Sequence, residues 1–470
     1  MSLVWLKKYF SFESGRATAG EGEPVSLKTE QEPNRLWRQS AYRRPRFLDA
    51  IWREETEADS RSVYSTPEDR PLLWNSGYAE VINSQKSHFN EDQAVCCQIS
   101  ARKKERCQWE EAELLVSCDN YVTSCYWALF DGHGGPVAAI LASSYLQCCI
   151  KHNLEWIMEG LTGTQPPMHL NRQCIYQSDP QLVEAKGICH DHLVIGALEN
   201  AFRDCDEMIC QEMLTINQSG GCTALIALYL HGKLFVANAG DSRAIIIKKQ
   251  SILQLSNEFT PETERQRLQY LAFIYPEYLA DEFTRFEFPR RLKRKDLGQK
   301  VLYRDYCMAG WGYKMVERDD LKYPLVHGQG KQARLLGTLA VSRCLGDHQL
   351  KVAETNIAVK PFLSSIPEVK VLDFAKHGFL KDDVLVMATD GLWDVLSNEE
   401  VAQVVRSFLD DNRLNPCRFL ELAKHLVYKA RGTKNGTEWL LDTDTPASYD
   451  DISVFVIPLW DQNCLPRSGP

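Results

Sequence analysis

From about Gly77 onward, short apolar runs alternate with turns rich in glycine, asparagine and acidic residues. The runs predict strands at Tyr78–Val81, Gln93–Ile99, Leu114–Cys118, Tyr126–Phe130, Thr223–Tyr229, Leu234–Asn238, Ala244–Ile247, Val384–Thr389 and Ile452–Leu459. Longer stretches predict helices at Val137–Tyr145, Leu193–Leu214 and Val401–Leu409, the last behind a capping box of Ser397 and Glu400. A polar loop, about Glu159 to Pro180, parts the first two helices. Ahead of this region the pattern weakens. Residues 1–34 read as a disordered segment, with Met1–Phe10 either a short amphipathic turn able to touch a membrane surface or a floppy terminus. Residues 35–76 mix aromatics with Arg and Glu and read as an extension packed on the domain. The domain itself is expected over 77–460, with a tail at 461–470.

A chain of 470 residues, 44% of them hydrophobic, can bury a large core as one domain or two. Its net charge of −9 gives no bulk electrostatic reason to bind nucleic acid. The 16 cysteines are scattered, with no CxxC pair, which favours reduced thiols in the cytoplasm or nucleus over a disulfide framework. No apolar run nears the roughly 18 residues of a membrane span, and MSLVWLKKYF lacks the order of a signal peptide.

Candidate chemistry begins in the stretch Tyr126–Gly135, YWALFDGHGG. A buried strand ends there at Asp131, and the glycines behind it let backbone amides and carbonyls approach whatever the carboxylate holds. Alone, the stretch also admits a plain strand–turn–helix with a solvated Asp. The arrangement recurs, however: Glu91-Asp92, Asp241, Asp390 and Asp450-Asp451 each sit at the mouth of a predicted strand or turn. Together they suggest one cleft lined with carboxylates. Clustered carboxylates repel unless cations neutralise them, and oxygen-only ligands select hard divalent ions such as Mg²⁺ or Mn²⁺. No Cys/His set has zinc spacing.

Six segments in order resemble the successive motifs of the metal-dependent type-2C (PPM) serine/threonine protein phosphatases: YWALFDGHGG, SGGCTALIALY, LFVANAGDSRAII, LLGTLAVSRCLGDH, VLVMATDGLWDVLSNEEV and YDDISVFVIPL. AYRRPRFLDAIWREE and ASYDDISVFVIPL are most similar to the vertebrate H/J/M branch. The resemblance covers about Gly77 to Leu459. It implies an α+β fold, a central β-sandwich of two antiparallel sheets flanked by helices (four layers, α/β/β/α), with a flap insertion at about 261–335. It also implies two Mn²⁺ or Mg²⁺ ions per subunit, bridged by Asp131. Glu91 and the Gly132 carbonyl would serve one ion, and Asp390 and Asp450 the other; Asp241 and Asp394 match the acids of a weaker third ion. A hydroxide between the two ions would attack phosphorus in line, and His133 matches the general acid for the leaving seryl or threonyl oxygen. The substrates implied are phosphorylated proteins, in the H/J/M branch phosphorylated Rab-type small GTPases. A pseudophosphatase that only binds phosphoproteins is the alternative. Such a module is expected to lose metal acids, whereas this chain keeps Glu91, Asp131, Asp390 and Asp450.

Three departures stand out. Where the family usually has a phosphate-binding Arg, four residues before Glu91, this chain has Ser87 with Lys86 beside it. Lys86 becomes the candidate phosphate contact, although a point charge cannot clamp bidentately. The family's Asp-His-Lys-Pro is replaced by Asn257-Glu258-Phe259-Thr260-Pro261, and its final Asn by Asp451, which adds charge beside Asp450. The insertion between Thr260 and Arg334 is rich in Tyr, Phe, Arg and Lys and too long for a bare loop. It is expected to be structured, either to recognise a folded phosphoprotein or only to brace the cleft. Within it the basic run Arg290–Lys295 is a solvated face or a partner site. Asp347 and Arg343 either brace the site or form structural ion pairs.

Overall fold

A computed structural model describes residues 43–51, 61–103, 121–162 and 187–460. The strand expected at Leu114–Cys118 and the amphipathic N-terminus lie outside the described residues. In chain order the elements used here are β1 Tyr64–Ser65, β2 Gly77–Val81, β3 Gln93–Arg102, β4 Tyr121–Phe130, β5 Gly132–His133, α1 Val137–Thr162 and α2 His190–Ile216. There follow β6 Gly221–Cys222, β7 Ala224–Leu230, β8 Lys233–Ala239, β9 Arg243–Ile247, β10 Ile252–Gln254 and α3 Arg265–Ile274. The last are β11 Leu345–Gly346, β12 Glu368–Asp373, β13 Val384–Ala388, α4 Asp390–Trp393, α5 Asn398–Asp411, α6 Arg418–Arg431 and β14 Ile452–Pro458.

Two antiparallel sheets form the centre, with strand orders β1-β2-β14-β13-β9-β10 and β12-β8-β7-β4-β3. The period of two along each strand sends alternate side chains to different cores. On β13, Leu385 and Met387 face the other sheet, where Trp127, Leu129, Leu225 and Val236 meet them. Val384, Val386 and Ala388 face outward, under α4, α5 and α6. Strands β9 and β14 divide in the same way, Ile246 and Phe455 inward, Ile245 and Val454 outward. Both faces of these strands are buried, which is why they read as unbroken apolar runs. On the far side α1 packs on β3 and β4 and pairs with α2. The result is the expected four-layer α/β/β/α sandwich. Helix α1 runs to Thr162, past the expected loop start at Glu159, and β4 begins at Tyr121.

Register then decides where the acids go. In the first sheet Ala388 faces both Val454 and Arg243, and Val81 faces Ile452. In the second, Gln93 faces Phe130 and Ala224 faces Ala239. The residues just beyond these positions are Glu91, Asp131, Asp241, Asp390 and Asp450, so antiparallel pairing brings them to one end of the sandwich. The flap insertion has a core of its own, in which Leu268, Ala272 and Phe283 pack with Leu325, Leu335 and Phe362.

One buried cation ties the N-terminal extension to that end. Arg61 is 1% exposed. Its guanidinium donates to the carbonyls of Ile82 (2.9 Å), Ser448 (2.5 Å) and Asp450 (2.7 Å). Burial lowers its pKa to about 10, although Asp451 pulls it upward. An apolar residue here would leave three carbonyls without their donor. Arg61→Met should therefore destabilise the protein by about 3 kcal/mol in a urea titration. A loss below about 1 kcal/mol would show that these bonds are not what holds the Asp450 loop.

Candidate active site

Strand β4 delivers Asp131, whose carbonyl accepts from the Thr223 amide at 2.8 Å. Strand β13 ends two residues before Asp390, the first residue of α4, and Asp241 lies in the turn between β8 and β9. Carboxylate oxygens of Asp131, Asp241 and Asp390 lie within 4.8 Å of one another. Like charges this close cannot all ionise without a counter-cation. Burial, and after it the neighbouring carboxylates, hold Asp131 and Asp390 well above the ordinary range. Burial also pushes Asp241 up to about 6, with Glu258 and Asp394 adding to the effect. One oxygen of Asp390, Oδ1, is buried with no hydrogen-bond partner. An all-oxygen donor set with an unused buried lone pair fits Mg²⁺ or Mn²⁺.

The surrounding groups hold this cluster in shape. The Glu91 carbonyl accepts from Gly132 N at 3.1 Å, and its side chain accepts from Gly135 N at 2.6 Å. A Cβ on Gly132 would lie 2.6 Å from the Glu91 carbonyl oxygen, so only glycine permits this approach. Asp451, the residue that replaces the family's Asn, is buried, and its carboxylate accepts from the amides of Asn83 (2.8 Å) and Glu91 (3.1 Å). Burial and then Asp450 push it up to about 7. Asp92, also buried, accepts from Thr389 Oγ1 at 2.9 Å.

Two lysines stand on acids expected to hold metal. Lys86, the candidate phosphate contact, is ion-paired with Asp450. Burial alone would lower the Lys86 pKa, but Asp450, Asp390 and Asp131 raise it above the ordinary value. Lys331, from the flap, pairs with Asp394 at 3.0 Å. His133 Nε2 lies 2.6 Å from Asp347 Oδ2. Arg343 instead pairs with Glu264 at 2.7 Å, a structural bond at the base of the flap. Sequence reading passed over Arg61, Asn83 and Lys331, none of which stands in a quoted motif.

A family model described as protein phosphatase 2C matches residues 164–272 and 325–437. The chain is 56% identical to protein phosphatase 1M of Homo sapiens over 470 residues, covering 98% of each. The chain belongs to the protein phosphatase 2C family. It is also 47% identical to protein phosphatase 1H of Rattus norvegicus, covering 90% of this chain and 92% of that one. To protein phosphatase 1J of the same species it is 44% identical, covering 94% and 89%. This phosphatase 2C is thus a serine/threonine protein phosphatase that acts on phosphorylated proteins, from a metal-dependent family. The unmatched interval in the family model, 273–324, falls inside the flap, where this phosphatase departs from the family pattern.

The crowded acids make stability pH-dependent. Asp131, Asp241, Asp390 and Asp451 all have folded pKa values above the unfolded value of 3.8. The folded, metal-free phosphatase therefore binds more protons than the unfolded chain from about pH 4 through 7, and stability falls as the pH rises through that window. In EDTA the thermal midpoint should be several degrees lower near pH 8 than near pH 5.5, and Mg²⁺ or Mn²⁺ should remove most of the drop. A midpoint that climbs with pH in EDTA would show that the cluster carries no such repulsion.

Proposed function

We propose that the acid cluster is the hydrolytic centre, cleaving phosphoserine and phosphothreonine on protein substrates with two divalent ions, Mn²⁺ or Mg²⁺. Asp131, Glu91 and the Gly132 carbonyl would hold one ion, and Asp131, Asp390 and Asp450 the other; Asp241 and Asp394 would hold a weaker third. What carries this reading is the meeting of Asp131, Asp241 and Asp390 within 4.8 Å, with one buried Asp390 oxygen unpartnered. When bound, such ions supply the Lewis acidity that makes water nucleophilic near neutral pH and neutralises the phosphoryl oxygens.

The chain's own groups do the rest. Lys86, its side chain 55% exposed, offers a positive charge to the incoming phosphate. His133 holds the proton that the seryl or threonyl oxygen needs as it leaves. The nearby thiols of Cys222 and Cys344 are fully buried, and burial raises their pKa well above the ordinary value, so neither is a thiolate nucleophile. Asp131→Asn should lower phosphate release from a phosphothreonine peptide by several orders of magnitude with Mn²⁺ present, and EDTA should abolish the wild-type rate. Near wild-type turnover by Asp131→Asn would sink the assignment.

Substrate choice falls to the flap. A cavity of about 840 Å³ opens there, with Arg265, Arg285, Arg291, Arg304, Phe286 and Trp311 in its wall. Arg291 is exposed and stacks 3.7 Å over the Tyr323 ring. A phosphate monoester is small and needs none of this surface. Arginine and aromatic side chains are the usual anchors of protein interfaces. Arg265 and Arg304 pair with Glu287, and Arg285 with Asp305, so it is the exposed Arg291 that this wall offers to an acidic face of a folded phosphoprotein. Rab-type small GTPases are the class that the resemblance to the H/J/M branch implies. Replacing Arg291 by Glu and Trp311 by Ala together should shift selectivity. The kcat/KM for a phosphoprotein, divided by that for p-nitrophenyl phosphate, should fall about tenfold or more. An unchanged ratio would mean that the flap only braces the cleft.

A further inference from the structure

His133 stands on a patch of sheet separate from the sandwich. Three two-residue strands make it, in the order β11-β6-β5. Gly132 faces Cys222 and His133 faces Gly221, while Leu345 and Gly346 face the same two residues from the other side. The patch thereby zips together segments around residues 132, 221 and 345. Immediately after it, Asp347 takes φ +58°, the left-handed region. That turn brings its carboxylate back onto the patch, where Oδ2 lies 2.6 Å from His133 Nε2 and accepts from Cys344 Sγ at 3.3 Å.

Three observations set this pair apart from an ordinary ion pair. The Asp347 side chain is 2% exposed, so its carboxylate has given up water. Its backbone takes the left-handed conformation, which Asp tolerates better than most side chains, and is held there by a bond from its amide to the Gly220 carbonyl at 2.9 Å. Gly221 lies in the gap between the partners. A Cβ there would stand 2.3 Å from Asp347 Oδ2 and 2.8 Å from His133 Nε2. A pinned left-handed turn, desolvation and a closely packed glycine converge on one hydrogen bond.

We propose that Asp347 is the positioning residue for His133. It accepts the Nε2 proton, fixes the orientation of the ring, and leaves Nδ1 as the nitrogen that carries the proton to the leaving group. This rests on His133 acting as the general acid. In that step a water oxygen bonds to phosphorus while the bond from phosphorus to the seryl or threonyl oxygen breaks. The departing oxygen takes the Nδ1 proton, and solvent restores it from the proton released by the attacking water. Throughout, the Nε2 proton stays on the hydrogen bond to Asp347, as in other carboxylate–imidazole pairs that set a tautomer.

The test is a double-mutant cycle on two leaving groups. His133→Ala and Asp347→Asn should each lower kcat on a phosphothreonine peptide by about 10²-fold or more, with KM nearly unchanged. Each loss should be at least about tenfold larger there than on p-nitrophenyl phosphate, whose leaving group needs little protonation. Adding Asp347→Asn to His133→Ala should cost almost nothing further. Should the two losses multiply, or should Asp347→Asn harm both substrates equally, Asp347 is structural and the proposal is wrong. A leaving-group effect in His133→Ala that is absent from Asp347→Asn overturns the proposal alone. Equal losses on both substrates in His133→Ala overturn the general-acid reading and the proposal with it. If Asp347→Asn does not fold, nitrogen-15 spectra of the metal-free wild type decide. The His133 ring, identified as the signal missing from His133→Ala, should carry a slowly exchanging proton on Nε2. A freely exchanging ring would refute the pairing.

Discussion

Mutual repulsion among carboxylates at one end of the sandwich is the constraint on which the rest of this structure depends. Asp131, Asp241 and Asp390 are held closer than ionised acids can rest, with Asp450 and the buried Asp92 and Asp451 around them. Left to itself such a group would splay apart or stay protonated. The fold resists both outcomes by making the backbone rigid before the charges are considered. Strands buried on both faces fix where each acid leaves the sheet. Glycines at 132 and 135 let the Glu91 loop close over the turn. Repulsion that the fold cannot relax is what makes a divalent cation fit there so well.

Cations already belonging to the chain surround this centre. Arg61 grips the carbonyl of Asp450, Lys86 pairs with its side chain, and Lys331 reaches Asp394 from the flap. Only Arg61 is deeply buried and bonded at every donor group, so only it is a fixed part of the frame. The two lysines are more exposed side chains on flexible stems, Lys86 bonded to the Asp450 carboxylate and Lys331 also donating to the Asp394 carbonyl at 2.6 Å. Asp451 shows how a departure from the family pattern is absorbed. Its extra carboxylate is turned inward to receive two amides and joins the Asn83 loop to the Glu91 loop.

The acid-lined end thus has two structural levels. The acids hang from the ends of long strands, while His133 hangs from a small patch that joins three remote segments. The flap is a third unit, with its own core, and it touches the centre through Lys331.

The amino-acid sequence by itself determined the strands and their acidic ends, because both are local. Apolar runs stop at Asp131 and Asp390 for reasons written within a few residues of each. The capping box at Ser397 and Glu400 was legible in the same way, and it forms. Helix α6 was legible but passed over, since its apolar residues recur at three- and four-residue spacing. Strand β12 was legible in the same sense, through the alternation Glu368-Val369-Lys370-Val371, and was likewise passed over. Only the tertiary structure decided the partners. Arg61 meets Asp450 across 389 residues, and His133 meets Asp347 across 214. Nothing local encodes such pairs. They exist because the register of antiparallel strands brings distant turns to one rim, and a side chain's partner is chosen there by whichever buried charge or carbonyl would otherwise go unmet.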